Sequence, residues 1–186
     1  MGRLRRECGW KAAQTHRSLA RYLLEETYEV LEALDTGDDE HLREELGDLL
    51  LQVYFHAVIA EQEGRFDIED VAAGLVTKLV RRNPHVFGDT AGAPALTPAE
   101  IDAAWQAIKD DEKQRTDPLE GIPLELPALL RAVKVLERLE RAGRRVEVDP
   151  ASDDLGDRLL GLVAEARRSG VDPEQALRDA VRRLHP

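Results

Sequence analysis

Apolar side chains recur at three- and four-residue intervals along most of this chain, the spacing of helices that each bury one face. The spacing predicts a first long helix from Ser18 to about Leu34, with Ala20, Leu23, Leu24, Thr27, Val30, Leu31 and Leu34 along one side. The turn "DTGDD" stops it. A second helix follows from about Asp39 to Glu63 and ends at Gly64, and "FDIED" opens a third that runs to Arg82, before Pro84. The opening "ECGWKAAQTH" and the stretch "NPHVFGDTAGAPALTP" read as loops. Thr97 then caps a short helix, with Pro98 in its first turn and Glu100 at the capping-box position. Beyond the break "DPLEGIP", a further helix reads through "LPALLRAVKVLERLERAG", and "RRVEVDPAS" links it to a final helical pair. In that pair Leu155, Gly156 and Asp157 answer Leu46, Gly47 and Asp48, which marks an internal repeat.

The second helix is apolar in nearly every direction. A wheel puts Leu42, Leu46, Leu49, Val53 and Ala57 on one face and Leu51, Tyr54 and Val58 on much of the opposite one. Its polar stripe is Glu45, Asp48 and Gln52, whose spacing projects them in one direction along two turns. On the first helix Glu26 and Glu29 repeat the three-residue step at the border of the apolar face. A short turn makes the two helices antiparallel neighbours, so the pairs Glu26/Glu29 and Glu45/Asp48 are able to converge. Carboxylates gathered in a semi-buried place repel one another, and a divalent cation relieves the repulsion. Hard oxygen ligands suit Mg²⁺ or Mn²⁺ rather than zinc. A di-iron bundle would instead need Glu-x-x-His, and none of the histidines follows a Glu at that step. Against the metal reading, an EExxE motif by itself commonly marks a solvated helix face.

Composition agrees with helices: aromatics make up 4% of the 186 residues and charged residues 34%. The formal net charge of -11 disfavours nucleic acid as a partner, and a polyphosphate substrate would need a cation to offset the repulsion. Cys8 is the lone cysteine, so no intrachain disulfide forms, which fits a reducing cytoplasm. The basic start "MGRLRREC" is not followed by an apolar signal segment, and no run of apolar residues is long enough for a membrane helix.

The predicted third helix ends in Lys78, Arg81 and Arg82, with Lys78 and Arg82 on one face. Cations there offset the helix dipole, and beside a carboxylate-held cation they would also grip phosphates. Trp105 and Lys109 are spaced one turn apart, suited either to core packing or to a base stacked on indole with a cation near its phosphates. His41, His56 and His185 are assigned no role.

The segments "CGWKAAQTH", "EETYEVLEAL", "LREELGDLLLQV", "EGRFDIEDV" and "KLVRRNPHVFGD", in that order, closely resemble the MazG family of nucleoside triphosphate pyrophosphohydrolases. The resemblance implies an all-α, MazG-like helical bundle completed by oligomerisation, as a homodimer or higher homo-oligomer, with a shortened second helical repeat. It divides the chain into a catalytic helical domain over 1–115 and a linker helix with a degenerate second repeat over 116–186. It implies Mg²⁺-dependent hydrolysis of NTP or dNTP to NMP and pyrophosphate. By motif, Glu26, Glu29, Glu45 and Asp48 become metal ligands, and Glu25 a further acidic residue that orients or activates water. Lys78 and Arg82 match phosphate-binding residues, and Trp105 and Lys109 a nucleotide contact. Two departures stand out. The opening loop carries Gly9 and Lys11 where the family usually reads C-P-W-D, and the second repeat has lost its EExxE helix. The competing expectation is a non-catalytic helical interaction module whose acidic stripe holds a structural cation or a basic partner.

Overall fold

A left-handed glycine and a handful of side-chain caps shape the first half of the chain in the computed structural model, which describes residues 1–88, 96–149 and 151–184. All regular elements among the described residues are helices, so the fold is all-α as expected. They are α1 (Gly2–Glu7), α2 (Gly9–Ala12), α3 (His16–Thr36), α4 (Asp39–Gln62), α5 (Ile68–Arg82), α6 (Pro84–Phe87), α7 (Pro98–Lys113), α8 (Ala128–Arg141), α9 (Leu155–Arg168) and α10 (Pro173–Arg182). The chain divides into two units, Met1–Trp105 and Gln106–Pro186, with the division inside α7.

In the first unit α3 starts at a capping box, where the Thr15 side chain accepts from the Ser18 N–H and Ser18 answers on the Thr15 N–H. It ends at Gly37, whose φ of +70° is the left-handed conformation that lets its N–H return to the Ala33 carbonyl. Asp38 then caps α4 by accepting from the Glu40 and His41 N–H groups. Two residues, Gly37 and Asp38, therefore reverse the chain, and α4 packs back along α3.

The seam of this hairpin alternates steps of three and four: Leu19, Tyr22, Glu26, Glu29 and Ala33 on α3, and Glu45, Asp48, Gln52, Phe55 and Ile59 on α4. Leu19, Phe55 and Ile59 form its apolar end, with Met1 and Tyr22 packed against them. Full burial of side chains of this size stabilises by about 1.5–3 kcal/mol each. The other end of the seam is acidic.

This arrangement corrects the wheel. The stripe of Glu45, Asp48 and Gln52 faces α3, while Leu46 and Val53, expected inside, are exposed. Val58 lies buried within the chain. A helix apolar nearly all round has no inward face of its own, and the neighbour it folds against selects one. The fifth helix shows the same surplus: Arg82 is its buried residue, and Val71, Leu75, Val76, Leu79 and Val80 are exposed.

The opening segment expected as loop, 7–16, holds α2, with α1 just before it, and Pro84–Phe87 form one helical turn. The rest of that second expected loop, 89–95, lies outside the described residues. None of these short helices has the length for a periodic signal, and Arg5 of α1 fastens the first two together. Its Nη1 donates to the carbonyls of Lys11 at 2.5 Å, Ala12 at 3.1 Å and Gln14 at 2.9 Å. Its Nε and Nη2 donate to Gln62 Oε1 at the end of α4, at 3.0 and 2.9 Å. One planar fork thus satisfies the C-terminal carbonyls of α2 and ties them to the hairpin.

In the second unit α8 and α9 share a core of Leu136, Leu139 and Val163. Asp154 caps α9 and Asp172 caps α10, and the Glu174 carboxylate accepts from the Leu130 N–H at 3.3 Å. Helix order here parallels α3 to α5 in the first unit.

Arg5→Ala should lower unfolding stability by about 1–2 kcal/mol, because it removes a charged donor to three carbonyls in a partly exposed setting. Arg5→Lys should recover little of this, since an ammonium lacks the fork. Chemical denaturation of the three proteins checks both; equal stability of wild type and Arg5→Ala would contradict the clamp.

Candidate metal and substrate site

The acidic end of the hairpin seam gathers carboxylates because α3 and α4 present them at matching heights on the faces turned to each other. Glu26, half-buried, and Glu29, exposed, lie one turn apart on α3, and Glu45 reaches them from α4. One oxygen from each of these three lies within 4.8 Å of the others. Glu45 and Gln52 retain only 9% and 5% of their accessible surface, so both are buried beside the exposed Glu29.

Each buried member has a partner on the same helix or across the seam. His41 Nε2 lies 3.1 Å from Glu45 Oε1, one turn back along α4, and holds that carboxylate in place. The Gln52 Nε2 donates to Glu26 Oε1 at 3.3 Å. Asp48 lies half-buried on the seam between Glu45 and Gln52 and acts on Glu26 through its charge. Burial first, then the charges of Asp48 and Glu29, raise the Glu26 carboxyl above its ordinary value of 4.5. The Gln52 amide works in the opposite direction. Oxygen donors packed this closely, with one proton affinity already raised, match the requirements of a small divalent cation.

The remaining predicted residues distribute as follows. Glu25 is exposed on α3, within electrostatic reach of Arg21. Lys78 is exposed on α5 and has no ion-pair partner among the described residues. Arg82, at the end of the same helix, is buried, with its guanidinium carbon 4.7 Å from the centre of the Trp105 ring. Two residues read separately from the sequence are therefore stacked on each other. Lys109 follows on α7, in the second unit.

The sequence reading missed His41, although a His four residues before a seam Glu is a signal that helix geometry makes readable. In the second unit Asp154 accepts from the Asp157 N–H at 3.0 Å and Asp157 accepts from the Ser152 hydroxyl at 3.1 Å. Glu140 pairs with Arg167 at 2.9 Å. The acidic residues of the second repeat are thus used as a helix cap and a surface ion pair, and among the described residues they build no second cluster.

A carboxylate cluster on the seam of an all-helical hairpin, with cationic and aromatic residues on the helices that follow, defines the class of the protein. Residues 14–87, which contain every predicted ligand together with Lys78 and Arg82, match the family model described as the MazG nucleotide pyrophosphohydrolase domain. The chain is 39% identical over 200 residues to the nucleoside triphosphate pyrophosphohydrolase/pyrophosphatase MazG of Thermotoga maritima, covering 95% of this chain and 76% of that one. It is 43% identical to the nucleoside triphosphate pyrophosphohydrolase of Escherichia coli (strain K12), over 89% of this chain and 63% of that one. It is also 48% identical to an uncharacterized 26.1 kDa protein of Streptomyces cacaoi, over 97% of this chain and 74% of that one. The crystal structure of a MazG-related protein from Thermotoga maritima aligns with 58% of this chain and 91% of that one, at 28% identity and a TM-score of 0.49. The chain belongs to the MazG nucleotide pyrophosphohydrolase family.

The raised Glu26 value has a definite sign. The folded state holds that proton more tightly than the unfolded chain does, so ionisation of Glu26 works against the fold. The penalty is present above the raised pKa and disappears as pH falls through it toward 4.5. Glu26→Gln should therefore raise the Tm of the metal-free protein at pH 7, by about 2 °C, with the difference shrinking toward pH 4.5. Calorimetry in the presence of a chelator measures this; a variant less stable than wild type at pH 7 would show that the cluster does not repel.

Proposed function

We propose that this protein is a divalent-cation-dependent hydrolase that cleaves nucleoside triphosphates, NTP or dNTP, to the monophosphate and pyrophosphate, acting in the cytoplasm as a homodimer or higher oligomer. The convergence of Glu26, Glu29 and Glu45, with Asp48 adding its charge, is the observation that carries the reading. The names of the Thermotoga maritima and Escherichia coli relatives support the same reaction.

Glu26, Glu29, Glu45 and Asp48 would hold Mg²⁺, with Mn²⁺ as a substitute. When bound, the cation supplies charge neutralisation at the phosphates and lowers the pKa of water. Glu25, exposed next to Glu26, orients the water that attacks the α-phosphorus as the bond to the pyrophosphate oxygen breaks. Lys78 and Arg82 steady the phosphates, Trp105 offers its indole to the base, and Lys109 adds positive charge on the same helix. No nucleophilic side chain is needed. His41 keeps Glu45 oriented, as partners of ligating side chains commonly do.

Oligomerisation is supported by the apolar surface that the chain leaves uncovered. Leu46, Leu50, Val53 and Tyr54 of α4 and Leu75 and Leu79 of α5 are exposed and offer apolar surface for such a contact, whereas Val58 is buried within the chain. Among the described residues no helix is long and apolar enough to cross a membrane.

With NTP and Mg²⁺ the protein should release pyrophosphate and NMP in equal amounts. Asp48→Asn should lower turnover more than about 100-fold while remaining folded, whereas Asp157→Asn, whose carboxylate serves the start of α9, should stay within about 2-fold of wild type. Orthophosphate as the sole product would overturn the proposed reaction, and no product at all would favour the interaction-module reading. Sedimentation at micromolar concentration should show a dimer or larger species, and Leu50→Glu combined with Leu75→Glu should shift it toward monomer. A monomeric, fully active wild type would overturn the oligomer.

A further inference from the structure

Two buried polar atoms beside the carboxylate cluster have no partner among the described residues: Gln52 Oε1 and His56 Nε2. They sit four residues apart on α4, hence on one face, with β-carbons about 5–6 Å apart. Their chemistry is complementary, and the neighbouring hydrogen bonds show why. Arg65 Nη2 lies 2.5 Å from His16 Nε2, and a guanidinium has donors only, so His16 Nε2 accepts. A neutral His16 then carries its proton on Nδ1. That atom lies 2.7 Å from His56 Nδ1, which must accept in turn. His56 is therefore left with its proton on Nε2, a buried donor. The two ring planes lie 1° apart, with their centroids 5.0 Å from each other. One turn earlier, Gln52 donates to Glu26 through Nε2, which leaves Oε1 as a buried acceptor.

We propose that a buried water accepts from His56 Nε2 and donates to Gln52 Oε1, completing a hydrogen-bonded string from Arg65 through His16, His56 and Gln52 that positions Glu26. A buried water with two or more polar partners is an ordinary structural component, and this one satisfies both atoms at once. His56 and Gln52 are then positioning residues. They act through Glu26 and touch no substrate. The part of the proposal that concerns the cation rests on Glu26 being one of its ligands, whereas the string itself does not.

Two measurements on the full chain separate these parts. In ¹⁵N-histidine NMR at pH 7.5, His16 should be the Nδ1–H tautomer and His56 the Nε2–H tautomer, with the His56 Nε2 proton protected from exchange. Gln52→Met, which keeps the volume and removes the acceptor, should abolish that protection. His56 protonated on Nδ1, or an unprotected His56 Nε2 proton in the wild type, would overturn the string. Affinity for Mn²⁺ alone, read by the EPR signal of the free ion, should fall about 10-fold or more in Gln52→Met and in His56→Phe, and no further in the double variant, because both break one string. Unchanged affinity in folded Gln52→Met, or independent additive losses, would overturn the positioning role. Should His56→Phe not fold, His56→Gln takes its place in the cycle. A wild type that fails to bind Mn²⁺ would instead overturn the proposed function and leave the NMR result standing.

Discussion

Like charges placed in the seam between two helices repel at the one place where helices normally attract, and the first unit is organised around that conflict. An antiparallel hairpin ordinarily holds together through the apolar residues of its seam. Here Leu19, Phe55 and Ile59 provide that attachment at one end only, and Glu26, Glu29, Glu45 and Asp48 occupy the other. The acidic end stays closed because both its edges are fixed. On one edge the turn at Gly37 and Asp38 leaves the helices no freedom to separate, and on the other the apolar cluster and the Arg5 clamp hold their far ends. Repulsion of this kind is what the proposed cation would relieve.

The buried polar atoms follow from the same conflict. Gln52 stands where the seam changes from apolar to acidic, with its amide donor on Glu26 and its carbonyl oxygen buried. The second unit shows the contrast. It keeps the helix order of the first, but its aspartates have been taken up by the start of α9 and its Glu140 by Arg167. Leu136, Leu139 and Val163 are buried there, and among the described residues no carboxylate cluster forms.

Much of this was legible beforehand. Helix positions followed from apolar spacing and turn chemistry, and even the caps at Asp38, Asp67 and Thr97 belong to residue types with a known role at helix starts. The carboxylate pairs were legible because a three-residue step places them on one face, and a two-residue turn leaves the helices no other relation. The inward face of α4 was not. Nearly every direction around that helix is apolar, so no wheel distinguishes the face that meets α3 from the face left exposed at Leu46 and Val53. The helical turns at Gly2–Glu7, Gly9–Ala12 and Pro84–Phe87 were hidden for a simpler reason, since none is long enough to complete two turns and repeat the period.

The sequence alone determined the quantities that depend on neighbours in the chain: which segments are helical, where they stop, which acidic residues share a face, and that the second repeat lacks its acidic helix. These are set by backbone sterics, by capping and by the 3.6-residue period, all of which act within a few residues. Tertiary structure alone decided which side chains meet across space. It put Gln52 on Glu26, His16 on His56, Arg82 over Trp105 and Arg5 on the carbonyls of α2. Those contacts join residues between 6 and 40 positions apart, and their partners are chosen by packing, which no local rule specifies.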